Sequence, residues 1–186
     1  MTSHNLLIVV LCGLSSLVNA TPNAADWKQQ TGSTLGFTGQ QQGEPFQGHF
    51  RKFASTIRFD PAVLAKARFD VSIDISSADS ANSERDETML GAEFFDSKKF
   101  PKARFTTRAF RQIAPGKFEA DATLTIRDKS VALKFPFTWS GDAKSAVLKA
   151  KVTLDRLAFG LGTGDWEDES SIGYKVEVNV YLKLAP

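Results

Sequence analysis

Apolar and polar side chains alternate with a period of two through most of the chain, in one segment after another. Phe69, Val71, Ile73 and Ile75 share one parity and Asp70, Ser72 and Asp74 hold the other, the pattern of a half-buried strand. Phe118, Ala120, Ala122, Leu124 and Ile126 alternate with Glu119, Asp121, Thr123 and Thr125. After Asp128-Lys129 the chain returns through Val131, Leu133, Phe135, Phe137 and Trp139, which predicts a hairpin. Leu148, Ala150, Val152 and Leu154 mark a further strand, and Tyr174, Val176, Val178, Val180, Leu182 and Leu184 mark the last. Upstream, Ser33 to Gln41 and Phe46 to Phe59 predict two strands joined by the turn Gln42-Gly43-Glu44-Pro45, with Phe53, Ser55, Ile57 and Phe59 on a common face. A shorter strand from Ala103 to Phe110 and a turn at Gly116 bring the number to about eight, the size at which an antiparallel sheet closes into a barrel. Closure also removes exposed sheet edges. The expected class is therefore all-β.

Two segments break this rhythm. Asp60-Pro61-Ala62-Val63-Leu64 starts like a helix, with Asp as cap and Pro in the first position, but has room for only a turn or two. Ser83 to Gly91 is the candidate for a longer helix, and Ala92 to Pro101, with Phe94, Phe95 and Phe100, leads from it back to the sheet. An apolar helix-loop excursion of this kind packs over something.

The first twenty residues differ from all that follow. They contain no Lys, Arg, Asp or Glu, and Leu6 to Val18 is almost wholly apolar. Spanning a membrane takes about 20 apolar residues, so this run is short for an anchor. It ends in Val18-Asn19-Ala20, a small-x-small ending, which reads as a secretory signal peptide over residues 1–20 cleaved after Ala20. Residues 21–186 then form one domain in the periplasm or outside the cell. Cys12, the one cysteine, falls in the signal, so the mature chain has no thiol for a disulfide, a metal or a nucleophile.

Composition excludes more than it selects. With 42% hydrophobic and 24% charged residues and a net charge of +2 spread along its length, the chain is globular and has no basic patch for nucleic acid. One histidine, His49, follows the signal, which removes Cys/His catalysis and His-rich metal sites. Asp165, Glu167, Asp168 and Glu169 beside Gly160, Gly162 and Gly164 invite thoughts of paired carboxylates or calcium. Their spacing has neither the regular alternation of an EF-hand loop nor a Lys-Ser/Thr after the glycines, so a solvated connection is the expectation. No catalytic or metal residue is assigned, and no enzymatic activity is expected.

Several stretches together point to a family: Arg85-Asp86, Leu90, Phe94-Phe95-Asp96, Phe100-Pro101 and Phe105, then Ser76-Ser77, Leu124-Thr125-Ile126-Arg127, and Arg156 with Phe159-Gly160. Taken together they resemble the YceI-like proteins, exported lipocalin-like barrels that bind polyisoprenoid and related lipids. The resemblance runs from Trp27 to Leu184, with Ala122 and Asp128 standing where glycine is expected. It implies a lipocalin-like barrel with a long-chain apolar ligand inside, an isoprenoid lipid or quinone, and no other cofactor.

Inward parity then nominates Phe53, Ile57, Phe69, Val71, Ile73, Ala120, Ala122, Leu124, Ile126, Phe135 and Phe137 as ligand contacts, with Phe94 and Phe95 near a mouth. For each of them plain core packing is the competing reading. Ala120 and Ala122 are the small residues in their strand and are expected to leave room for a channel. Arg85 and Asp86 either orient a polar head group or form a structural ion pair. The last strand, at about 3.3 Å per residue and tilted about 40°, implies a barrel roughly 28 Å tall that a long chain could thread. A scavenger of lipophilic toxins or antibiotics, a structural barrel with a filled core, transient contact with a membrane or membrane protein, and a homodimer all stay open.

Overall fold

In the computed structural model, which describes residues 24–186, the eleven strands belong to one antiparallel sheet. The apolar run Leu6 to Val18, Cys12 and the cleavage point after Ala20 lie outside the described residues. The strands are β1 (Asp26–Gln29), β2 (Thr34–Gln41), β3 (Glu44–Phe50), β4 (Phe53–Arg58), β5 (Arg68–Asp74) and β6 (Ala78–Asp79) in the first half. One helix, α1 (Ser83–Leu90), follows, and then β7 (Lys102–Ala114), β8 (Lys117–Ile126), β9 (Lys129–Gly141), β10 (Ala146–Asp155) and β11 (Lys175–Ala185).

The eleven reduce to eight when the pairing is followed. β1 pairs with β4 and β2 with β3, while β4 pairs with β5 and β3 with β6. Thus β1–β2, β3–β4 and β5–β6 are three long strands, each interrupted once. They form a ring with β7 to β11 in which each neighbour follows the last in sequence. The ring closes where Lys28 and Gln29 of β1 meet Ala185 and Leu184 of β11. The result is a closed, eight-stranded antiparallel barrel.

The interruptions sit side by side because local side chains compete with the ladder for the backbone. The Asp74 carboxylate accepts from the Ser76 amide, and the Ser77 hydroxyl donates to the Asp74 carbonyl, which curls Ile75–Ser77 into a 3-10 turn. The same Ser77 oxygen accepts from the Lys52 amide at 3.0 Å, and the Arg51 amide donates to the Ser77 carbonyl, so two breaks are tied together. This corrects the expectation of one strand from Phe46 to Phe59: it is broken at Arg51 and Lys52. The helical start expected after Asp60 is also only a turn, with a single 3-10 turn at Leu64–Lys66. In the β8–β9 hairpin it is Arg127, at φ 55, and not Asp128 that takes the left-handed conformation, so the turn has no need of glycine at 128.

α1 forms where expected. The Asn82 side chain caps it by accepting from the Arg85 amide at 3.0 Å, and Glu84 and Asp86 in the first turn complement the helix dipole. α1 and residues 91–101 connect β6 to β7, and Arg85, Thr88, Met89, Phe94 and Phe95 of this segment face the barrel interior. Met89 is the buried face of the helix, packed with Phe37 and Ala78 against Phe50 and Phe95.

Cross-strand ion pairs stud the outer surface. Asp70 receives two hydrogen bonds from Arg104, at 3.1 and 2.6 Å, and these hold its carboxyl below the ordinary value of 3.8. Arg58 does the same for Asp26, and Lys175 for Asp155. A carboxyl whose pKa is lower folded than unfolded lends stability that is complete above the unfolded value and lost as pH falls through the folded one. Melting temperature is therefore expected to stay level from neutral pH to about 5 and to drop below about 4. A drop already complete at pH 5 would assign the acid response to other groups.

Candidate functional site

The two ends of the barrel are built differently. At the end where β1 meets β4 and β11, aromatic rings fill the interior. Phe59 is completely buried and lies within 6 Å of the rings of Phe69, Phe110, Phe118, Phe137 and Trp139. Trp27 stands edge-on to Trp139 at 5.3 Å, and its indole N–H donates to the Phe59 carbonyl at 2.9 Å, which satisfies that buried donor.

Toward the other end the inward side chains no longer meet, and they enclose an apolar cavity of about 360 Å³. Ile57, Phe69, Leu148 and Leu182 belong to the packed cluster and also face the cavity, which makes them its floor. Phe53, Val71, Ile73, Leu124 and Ile126 form one side of the wall, and Phe135 lies low on it beside Phe105, at 4.8 Å between rings. Leu154, Val176, Val178 and Val180 form the opposite side. Phe94 and Phe95 close the top together with Phe159, Leu161, Trp166 and Ile172.

That top is a cap of two loops, 91–101 and 160–173, stitched by two arginines. Arg127 donates through Nη1 to the carbonyls of Phe94 (2.9 Å) and Gly160 (3.0 Å). Arg156, 3% exposed, donates to the carbonyls of Leu161, Gly162, Trp166, Glu167, Ile172 and Gly173. Burial pushes its pKa below the ordinary value, offset in part by Tyr174, Asp155 and Glu167. With no carboxylate partner, the guanidinium is satisfied by backbone alone, five N–H groups spread over six carbonyls. Across the cap the Gly162 amide donates to the Glu93 carbonyl, and the Trp166 indole donates to the Glu93 carboxylate at 2.6 Å. Gly162 has φ +67, and a Cβ there would lie 2.7 Å from Arg156 Nη1, so both conformation and space require glycine.

Polar groups gather at one place on the cavity, a window between α1 and the end of the β2–β3 hairpin. Gln40, Gln41, Asn82, Glu84, Arg85 and Thr88 rim it. Arg85 reaches across: Nε donates to Gln41 Oε1 at 3.1 Å, and the guanidinium lies 4.2 Å over the Phe46 ring. Asp86 turns away and accepts from the Ser80 amide at 2.9 Å. The two residues form no ion pair, so the structural-pair reading gives way to an Arg85 that bridges helix and hairpin.

Of the residues nominated from sequence, the structure brings Phe53, Ile57, Phe69, Val71, Ile73, Arg85, Phe94, Phe95, Leu124, Ile126 and Phe135 to one cavity. Asp86, Ala120, Ala122 and Phe137 are not on it. Ala120 and Ala122 are buried, at 0% and 1% exposed, but within the packed cluster that also holds Phe59, Phe118, Phe135 and Phe137. The expectation of an open channel along β8 is corrected accordingly, and so is that of a chain threading the full height. Sequence reasoning left out the wall residues of β10 and β11 and those under α1, such as Phe37 and Phe50. The period-two parity that identified those strands carried the signal. Among the described residues no three His, Cys, Asp or Glu side chains cluster as a metal site, and the Asp168 carboxylate accepts from the Ser170 amide.

Comparison with known proteins agrees with this architecture. A family model for the YceI-like domain matches residues 27–184. The chain belongs to the YceI-like family. A UPF0312 protein of Vibrio cholerae is 29% identical over 142 residues, which is 73% of this chain and 75% of that protein. Among solved structures, Burkholderia cenocepacia BcnA superposes with a TM-score of 0.78 at 28% identity, covering 81% of this chain and 95% of its own. A Saccharophagus degradans domain described as polyisoprenoid binding and implicated in plant cell wall breakdown has TM-score 0.69 at 15% identity, covering 88% and 99%. At that identity the last match speaks to the fold. The window, the capped cavity and the plug are thus features of a YceI-like barrel.

Proposed function

We propose that this YceI-like protein is an exported carrier that holds an elongated apolar lipid, a polyisoprenoid or isoprenoid quinone, in its barrel. The observation that carries the reading is the cavity itself. Its volume of about 360 Å³ falls within the range of ligand pockets, and water inside it meets few polar partners, so an apolar occupant gains free energy by displacing that water. The lining is aliphatic and aromatic, so recognition inside is by shape and desolvation, and the polar window holds the head group. The Saccharophagus relative described as polyisoprenoid binding supports the ligand class.

Area bookkeeping sets no affinity here, because a long chain at ~0.8 kcal/mol per buried methylene soon passes the practical ceiling of about 18 to 21 kcal/mol. Ordering a flexible chain also costs, and a carrier has to release its cargo, so the expected affinity is moderate. Export rests on the apolar segment ending at Ala20.

Protein purified from the exported fraction of a bacterial host without detergent is expected to yield a long-chain isoprenoid on organic extraction, in near-stoichiometric amount by mass spectrometry. The intact mass of the same sample is expected to begin at Thr21. A reproducibly empty extract, with no uptake of added polyprenyl lipid or quinone, rejects the carrier. Recovery of many unrelated lipophiles assigns a scavenger instead.

A further inference from the structure

A ring of strands is open at both ends unless something fills it, and here one end is filled by packed rings. On β10 and β11 the cavity residues descend from the cross-strand partners Leu154 and Val176 to the partners Leu148 and Leu182. One step lower, Ala146 and Leu184 are again partners, but they are buried in the aromatic cluster and do not face the cavity. The run from Val176 to Leu182, at about 3.3 Å per residue on strands tilted by about 40°, gives a depth of about 15 Å. An extended saturated chain, with C–C bonds of about 1.5 Å at near-tetrahedral angles, advances about 1.25 Å per carbon, so one straight run holds about 12 carbons.

We propose that the barrel is a blind socket for an amphiphile with one apolar chain. The chain enters tail first through the window, its end stops on the floor of Ile57, Phe69, Leu148 and Leu182, and its polar head stays beside Arg85 and Gln41. A chain longer than the socket folds back within it or keeps its remainder outside. The orientation follows from where polarity is: the floor offers a lipid head no hydrogen-bond partner, whereas the window offers a guanidinium, amides and a hydroxyl. Leu148 sets the depth, since it faces up into the cavity with Leu182 on one side and Trp139 of the plug on the other. This deepens the carrier reading and rests on it.

The test uses delipidated full-length mature protein titrated with octanol and dodecanol. Affinity is expected to rise about fourfold per methylene within the socket, hence on the order of a hundredfold from octanol to dodecanol. Leu148→Phe raises the floor into open space. It is expected to weaken dodecanol about tenfold, the equivalent of losing roughly two methylenes, and to leave octanol within about twofold.

Tryptophan fluorescence reads the direction independently. Trp166→Phe leaves Trp27 and Trp139, both in the plug, as the two remaining indoles. Dodecanol brominated at its terminal carbon is expected to quench them, and dodecanol brominated beside the hydroxyl is not. Equal loss of octanol and dodecanol in Leu148→Phe, or stronger quenching by the head-brominated probe, overturns the socket while the carrier stands. Failure of every alcohol to bind rejects the carrier and the socket together.

Discussion

Replacement of Phe59 by alanine is expected to destabilise the barrel by about 3–5 kcal/mol, the range for removing a fully buried aromatic ring. In a domain of this size that lowers the melting temperature by roughly 10 °C. The ring has no exposed surface and packs against five aromatic neighbours, so its removal leaves a hole in the middle of the plug that the surrounding strands, locked in a closed ring, cannot collapse into. Thermal or denaturant unfolding measures the loss. A change below about 1 kcal/mol would mean that the plug is loosely packed and that the cavity has no firm floor.

Arg156→Met is expected to act locally and as strongly. Methionine fills much of the volume but leaves carbonyls of Leu161, Gly162, Trp166, Glu167, Ile172 and Gly173 without the donor that now satisfies them. A buried polar group stripped of its partner costs about 1–3 kcal/mol, and several share this one guanidinium, so the segment unfolds to find water and does not endure the penalty in place. Hydrogen exchange of residues 160–173 is expected to accelerate by two orders of magnitude or more, equivalent to about 3 kcal/mol, while the strands of the barrel keep their protection. Arg156→Lys is expected to rescue little, because an ammonium has three donors and no planar fork. Unchanged exchange in the methionine variant would show that the loop is held by Trp166, Glu93 and the Gly162 contact alone.

The two predictions concern parts of the molecule that were unequally legible in the sequence. Strand parity identified which side chains of β5, β8 and β9 turn inward, because period-two alternation depends only on neighbours along the chain. Whether inward means filled or hollow depends on what comes from strands far away in sequence. Ala120 shows this: its small side chain suggested room, yet it lies buried in the packed cluster, with Phe110 and Phe135 as its partners on the neighbouring strands. β1 escaped because four residues with one large apolar side chain, Trp27, have no periodicity to read. The breaks at Arg51–Lys52 and Ile75–Ser77 escaped because they are made by a serine serving two strands at once. Arg156 stood out among the stretches that carried the family resemblance, but a guanidinium bound only to carbonyls has no acidic partner in sequence to announce it.

The order of the ring has a consequence for how the molecule assembles. Every neighbouring pair but one is consecutive in the chain, so sheet growth can proceed strand by strand, with the segments 80–101 and 156–174 as the longest connections to close before the seam. The exception is the seam where β1 and β2 both lie against β11, joining residues from opposite ends of the described chain. That seam carries the largest loop-closure entropy and has least reason to form until the other strands are in place. Trp27 and Leu184 belong to the plug and sit on the seam strands, so the packed end of the barrel becomes complete only when the ring shuts. Until then the sheet is a curved ribbon with two free edges, the state in which the chain is most open to mispairing with another copy.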